Sequence, residues 1–375
     1  MKILFVVENY YPHIGGVETV FRNLAEALVK KNHKVEIVTH RLKNTKEYEE
    51  LNGVRIYRVN CLQSRYLFTF LSIFKAFKLA KSADIIHTTT FNGAFPAWLV
   101  SKLRKKPCII TVHEVWIGLW DELSEFNWLK RKIHNLLEKF IYFLPFNKYV
   151  AVSNFTRRRL VEIGISQNKT EVVYNSLNYS LFDPRKYNKN KTRKEIGIRN
   201  EFVCFSYGRP GISKGFSYLL DAIPMVTQKI PNSKFVLMLS KDKAYKSQYG
   251  KLIKKINDLN IKNKIILLEP AKENKIPAYL KAADCVVVPS LSEGFGYTVA
   301  EACAMNIPVV ASDVASLPEI ISGKFVLVKP KNPEEIAEGI IKVHNKKYKR
   351  TKLKKFLIKN NVERYLKVYK TLIKS

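Results

Sequence analysis

Glu293 and Glu301 stand eight positions apart on either side of a glycine turn, Glu293-Gly294-Phe295-Gly296, which leads into a helical pattern beginning near Tyr297 or Thr298. Glycine lets a backbone approach a ligand closely, and a helix N-terminus aims unpaired N–H groups and the positive end of its dipole at the same point. A diphosphate suits such a place. Two carboxylates just over two helical turns apart can accept hydrogen bonds from hydroxyl groups at the two ends of an elongated ligand. A central diphosphate with hydroxylated ends describes a nucleotide sugar. An exposed helix residue is the plain alternative for Glu301, but Ala300, Ala302 and Ala304 around it mark a closely packed helix.

Other residues have chemistry to offer. Arg209 and Lys214 lie in a loop with three glycines, Gly208-Arg209-Pro210-Gly211-Ile212-Ser213-Lys214-Gly215, and the chain contains no D-x-D pair of the kind that holds a divalent metal. A bidentate guanidinium and an ammonium can neutralise a leaving diphosphate with no metal. In a chain with 65 Lys and Arg, a solvated basic loop is the competing explanation. Gly15-Gly16 falls between the first strand pattern and the first helix pattern, where open α/β sheets bind ligands. His113 ends an apolar run, Thr111-Val112-His113-Glu114, and His87 holds a comparable position after Ile85-Ile86. A lone histidine at a strand end is more often structural than catalytic.

In chain order, Tyr11–Glu18, Thr111–Glu114, Gly208–Gly215 and Glu293–Glu301 resemble the first glycine loop, the histidine strand end, the G-R-x(4)-K-G element and the E-x7-E signature of one family. This is the family of retaining, metal-independent glycosyltransferases with two facing Rossmann-like domains (GT-B, family 4 or group 1), which includes sucrose synthases and phosphatidylinositol mannosyltransferases. The resemblance implies that Gly16 admits the donor diphosphate and the acceptor, and that Glu18 orients the loop. His113 would touch the transferred sugar near the reacting carbon, and Glu293 would contact its hydroxyls. Glu301 would bind the ribose, while Arg209, Lys214, Gly294, Phe295, Gly296 and Thr298 would complete the donor site. It implies no cofactor beyond the donor substrate. The chain departs from the family pattern at Asn175-Ser176-Leu177-Asn178, Asn306 and Ala315–Glu319, which alters turns more than charged chemistry.

The elements needed to position these residues alternate twice along the chain. β-branched apolar runs from Ile3 to Val152 are separated by longer segments, several with helical periodicity, and a second series runs from Phe202 to Val328. That alternation predicts α/β architecture with two doubly wound parallel sheets. A length of 375 residues also exceeds what one core usually organises. We expect an N-terminal domain over 1–178, a polar linker over 179–200, a nucleotide-sugar domain over 201–350, and a C-terminal helix over 351–375. By the resemblance, that helix crosses back to the N-terminal domain. The five cysteines have no zinc or C-x-x-C spacing and read as buried thiols of a reducing compartment. Glu8 cuts short the apolar start, Met1–Val7, which reads as a strand and not as a signal peptide.

A formal charge of +33 is the remaining clue. No zinc spacing, RNP-like motif or basic recognition helix points to specific nucleic-acid binding. Arg65–Ser82 places Phe70, Phe74 and Phe77 beside Lys75, Lys78 and Lys81, and a second aromatic and basic stretch runs from Trp116 to Phe143. Each can simply pack on a sheet. Together they predict peripheral attachment to an anionic membrane, at about 1 kcal/mol per basic side chain near the surface. The expectation is a hexosyltransferase that uses a nucleoside-diphosphate sugar and a lipid or lipid-linked acceptor at the cytoplasmic membrane face. A soluble sugar or sugar-phosphate acceptor is one alternative. A non-catalytic binder of nucleotide sugar or polyanion is another.

Overall fold

The computed structural model of the chain describes residues 1–13 and 15–374; Ile14 of the first glycine loop and the terminal Ser375 lie outside the described residues. The chain forms two compact units. Unit 1 comprises Met1–Trp120, Asn127–Ser176 and the segment from Phe356 on, and unit 2 comprises Asp121–Phe126 and Leu177–Lys355.

Unit 1 is built on strands β1 (Lys2–Val6), β2 (Lys34–His40), β3 (Tyr48–Leu51), β4 (Val54–Val59), β5 (Ile85–Thr89), β6 (Cys108–Val112), β7 (Lys148–Ala151) and β8 (Thr170–Val172). They form one sheet in the order β3-β4-β2-β1-β5-β6-β7-β8. All neighbours are parallel except β3 and β4. The central strands are covered on both faces, which is why they read as continuous apolar runs without alternation. Helices Arg65–Ala80, Ala94–Arg104 and Trp128–Phe143 cover one face through Phe68, Ala76, Ala97, Val100, Ile141 and Tyr142. Helices Gly16–Lys30 and Ile358–Lys374 cover the other through Phe21, Leu24, Leu28, Val362, Tyr365 and Tyr369. The strand order reverses at β1, so the glycine loop that follows it opens at the switch point where such sheets receive ligands.

Unit 2 repeats the plan with β9 (Phe202–Gly208), β10 (Ser233–Leu239), β11 (Ile265–Leu268), β12 (Cys285–Val288), β13 (Val309–Ser312), β14 (Lys324–Val328) and β15 (Lys349–Arg350). The order is β11-β10-β9-β12-β13-β14-β15, parallel except for the last pair. Here the order reverses at β9. The Gly208–Gly215 loop follows β9 and the Glu293–Gly296 turn follows its neighbour β12, so both leave the carboxyl ends of adjacent strands.

One sequence expectation is corrected. The polar stretch 179–200 is not a free linker, because Lys189–Glu195 is helical and the segment belongs to unit 2. Arg193 is buried; its guanidinium reaches Asp284 at 2.5 Å and donates to the Ala282 carbonyl at 2.9 Å. A polar composition therefore concealed an anchor. The terminal helix belongs to unit 1, and the segment entering that unit begins at Phe356.

Candidate functional site

In unit 2 the two loops are fitted against each other by backbone that only glycine can supply. Gly215 has φ 65°, and a Cβ there would lie 1.9 Å from the Pro289 carbonyl oxygen. The Leu291 amide donates to the Ser213 carbonyl at 2.7 Å, binding the turn after β12 to the loop after β9. Gly296 has φ 89° and begins the helix Tyr297–Ala304; a Cβ there would come within 2.6 Å of the Leu317 side chain. Both positions are left-handed and crowded, so any side chain strains the turn.

This framework brings the predicted donor residues together. The Lys214 ammonium meets Glu293 Oε1 at 2.6 Å, and the Ser290 hydroxyl donates to the same oxygen at 2.9 Å. The Ser316 hydroxyl donates to the Glu293 carbonyl at 2.9 Å, fixing the turn itself. Only one of the three N–H bonds of Lys214 is needed for Glu293, which leaves a cation with further donors at the turn. Arg209 is exposed in the same loop, its guanidinium 5.9 Å from the Tyr245 ring. Glu301 lies in the helix after Gly296, and burial pushes its carboxyl up to about 8, while the Tyr207 hydrogen bond and the charge of Lys214 pull it back. Lys214 thus bonds one carboxylate and acts electrostatically on the other.

The sequence did not disclose Tyr207. Its hydroxyl donates to Glu301 Oε2 and also interacts with Thr298, and its ring stacks on Phe205 with centroids 5.0 Å apart. Its place immediately before Gly208-Arg209 was the available signal. However, the partner is distant in sequence and is reached only through the pairing of β9 with β12.

In unit 1, Gly15 is the extended N-cap of the helix that begins at Gly16, and His13 Nδ1 lies 3.0 Å from Glu18 Oε1. Among the described residues a Cβ on Gly16 would meet nothing within 4 Å, so they set no steric demand for glycine there. His113 follows β6, beside Phe21 with ring centroids 6.4 Å apart. Burial pushes its imidazole down to about 4, against the opposing pull of Glu18, so the ring is neutral near pH 7. Among the described residues its Nε2 is buried without a hydrogen-bond partner, a costly condition for a polar atom. His87 differs. Its Nδ1 lies 2.7 Å from the Tyr369 hydroxyl and its Nε2 2.7 Å from the Thr111 hydroxyl, which lies 2.9 Å from that of Tyr365. His87 fastens the terminal helix under the sheet.

The sequence also left Glu138 unassigned. It is buried and accepts hydrogen bonds from the Trp116 amide at 2.8 Å and the Trp120 indole at 2.7 Å. It thereby fixes the chain just beyond His113. Burial pushes this carboxyl up to about 7, opposed by those two donors and Arg159 and reinforced by Glu114. Among the described residues no helix is long and apolar enough to cross a membrane.

Comparison with known proteins follows the same division. A family model described as Glycosyltransferase Family 4 matches residues 14–181, and one described as Glycosyl transferases group 1 matches residues 188–360. An uncharacterised glycosyltransferase of Methanocaldococcus jannaschii is 29% identical over 358 residues, covering 92% of this chain and 89% of the relative. The alpha-monoglucosyldiacylglycerol synthase of Streptococcus pneumoniae is 26% identical, with 87% of this chain and 74% of the relative covered. An Escherichia coli UDP-Gal:alpha-D-GlcNAc-diphosphoundecaprenol alpha-1,3-galactosyltransferase is 24% identical, with 92% and 89% covered. The crystal structure of Anabaena HepE in complex with UDP shares the fold, with a TM-score of 0.77 at 19% identity over 99% of this chain and 100% of that one.

Proposed function

The chain belongs to the family 4, group 1 glycosyltransferases, and on that footing we propose that it transfers a hexose, with retention, from a nucleoside-diphosphate sugar to a lipid or lipid-linked glycan at the inner face of a membrane. The observation that carries this reading is the turn in which Lys214 and Ser290 converge on Glu293 beside the helix that begins at Gly296. The relatives named for a diacylglycerol glycolipid and for diphosphoundecaprenol support the acceptor class. The neighbour bound to UDP makes UDP the first donor base to test.

The reaction joins an acceptor oxygen to the anomeric carbon as the bond from that carbon to the diphosphate breaks, with the electron pair leaving on the phosphate. Attack on the face of departure retains configuration, and the acceptor proton passes to a phosphate oxygen. Lys214, Arg209 and the helix N-terminus stabilise the charge that develops on the diphosphate. Glu293 accepts from the sugar hydroxyls and Glu301 from the ribose. Neutral His113 offers Nε2 to the sugar, holding the anomeric carbon in position. No metal is assigned a step. Transfer to lipid extracts from a panel of UDP-, GDP- and ADP-sugars, with NMR of the product anomer, tests the proposal. One donor should be consumed with its anomeric configuration kept, turnover should survive a chelator, and Glu293→Gln should abolish it. An inverted product, or transfer only to water-soluble sugars, overturns the corresponding part.

A further inference from the structure

The helix Trp128–Phe143 has two apolar faces. Its inner face buries Glu138, Ile141 and Tyr142. Its outer face leaves Phe143 83% exposed, Leu136 68% and Trp128 61%, with Leu129, Ile133, Leu137 and Phe140 also exposed. Positions 129, 133, 136, 140 and 143 follow helical spacing and make one stripe. Scattered exposed apolar residues are ordinary, but a continuous stripe of large ones marks an interaction surface.

The charges on the same helix identify the partner. Lys130, Lys132 and Lys139 are exposed beside the stripe, and the helix's only acid, Glu138, is turned inward. The Lys132 ammonium lies 4.9 Å from the Trp128 ring centroid. We propose that this face docks unit 1 on an anionic lipid bilayer, with Trp128, Ile133, Leu136, Phe140 and Phe143 entering the interface and the cations meeting the headgroups. A bilayer supplies an apolar layer beneath anionic groups, the two chemistries this face presents. A second copy of the chain, with a formal charge of +33, would set like charge against like.

The inference rests on the acceptor reading above and moves the main contact from the Arg65–Lys81 helix. On that helix Phe70 and Phe74 are exposed, but Phe77 packs against the core. Lys75 turns toward the Tyr57 ring at 5.6 Å and Glu47 at 3.9 Å.

Trp128 supplies the reporter, since it is the exposed member of the four tryptophans. With phosphatidylglycerol vesicles the protein should float with the lipid and its tryptophan emission should shift to the blue. It should do neither with phosphatidylcholine. Trp128→Phe should bind but lose most of the shift. A Leu136→Ser, Phe143→Ser double variant should keep its melting temperature, because both side chains are exposed, and should lose binding at least about tenfold. Unchanged binding by the double variant overturns the proposal. If binding then falls only in a Lys75→Glu, Lys78→Glu, Lys81→Glu variant, membrane attachment stands and the helix assignment fails. Wild-type protein that binds neither vesicle while still consuming nucleotide sugar overturns both membrane statements and leaves the transferase reading intact.

Discussion

The Glu293 turn in unit 2 and the Gly16–His113 region in unit 1 share one plan, a strand end and a glycine turn opening onto a helix, but they are finished to different degrees. In unit 2 the chain satisfies its own chemistry. Lys214 and Ser290 hold Glu293, Tyr207 holds Glu301, and two glycines sit where a Cβ would collide. In unit 1, among the described residues, His113 Nε2 is buried without a partner and Gly16 has no neighbour within 4 Å of a Cβ. A surface complete in itself can be preorganised for a ligand part that does not vary. One with an unmet ring nitrogen and an unfilled approach has room for a complement from whatever binds there.

The largest expected effect breaks the finished side. Lys214→Ala takes from Glu293 its cationic partner and, on the proposed function, takes a cation from the departing diphosphate, so turnover should fall about 10²–10³-fold. Steady-state kinetics with the identified donor will show whether kcat carries the loss. A fall confined to KM would mean that Lys214 binds donor and transition state equally, and that the turn is a docking site only.

On the open side, Gly16→Val should fold normally, because none of the described residues lies within 4 Å of the new Cβ, yet turnover should fall up to about a hundredfold if ligand must approach the backbone there. An unchanged melting temperature with unchanged kinetics would reduce Gly16 to a turn residue. A smaller effect is expected from Tyr207→Phe. Loss of one hydrogen bond to the Glu301 carboxyl should weaken nucleoside-diphosphate binding about tenfold, and calorimetry should show the preference for ribose over 2′-deoxyribose shrinking with it. If Glu301→Gln erases that preference and Tyr207→Phe does not, the tyrosine merely packs on Phe205.

The same contrast governs how much the sequence disclosed. Both sheets and the Glu293–Gly296 turn are legible, because long apolar strands and glycines at fixed distances from Glu293, Glu301 and Lys214 are local patterns. Tyr207 is not, since strand pairing alone brings it to Glu301. Arg193 reads from the sequence as part of a linker because its partner, Asp284, is distant in sequence. His87 and His113 looked alike until burial and partners separated them. The helix Trp128–Phe143 is ambiguous when read alone. Its apolar periodicity reads as a face packed on a sheet, whereas most of that face points outward and the one acid points in.

That acid carries the smallest effect and the most specific sign. Glu138 is the point at which unit 1 does satisfy its own chemistry near His113, with Trp116 and Trp120 donating to it and Glu114, Arg159 and Tyr142 nearby. Its folded value is raised from 4.5 to about 7 by burial. A folded state that holds the proton more tightly than the unfolded chain gains stability at low pH. That gain is complete below about 4.5 and lost as pH rises through about 7. Glu138→Gln is neutral throughout and lacks this dependence. The melting temperature of the wild type relative to the variant should therefore decline by a few degrees between pH 5 and pH 8, and the wild type should be the more stable at pH 5, where the carboxyl is largely protonated and both Trp donors are matched. A difference that does not vary with pH would mean that Glu138 ionises like an exposed carboxylate, and that the segment beyond His113 is as open as the histidine's unmet nitrogen.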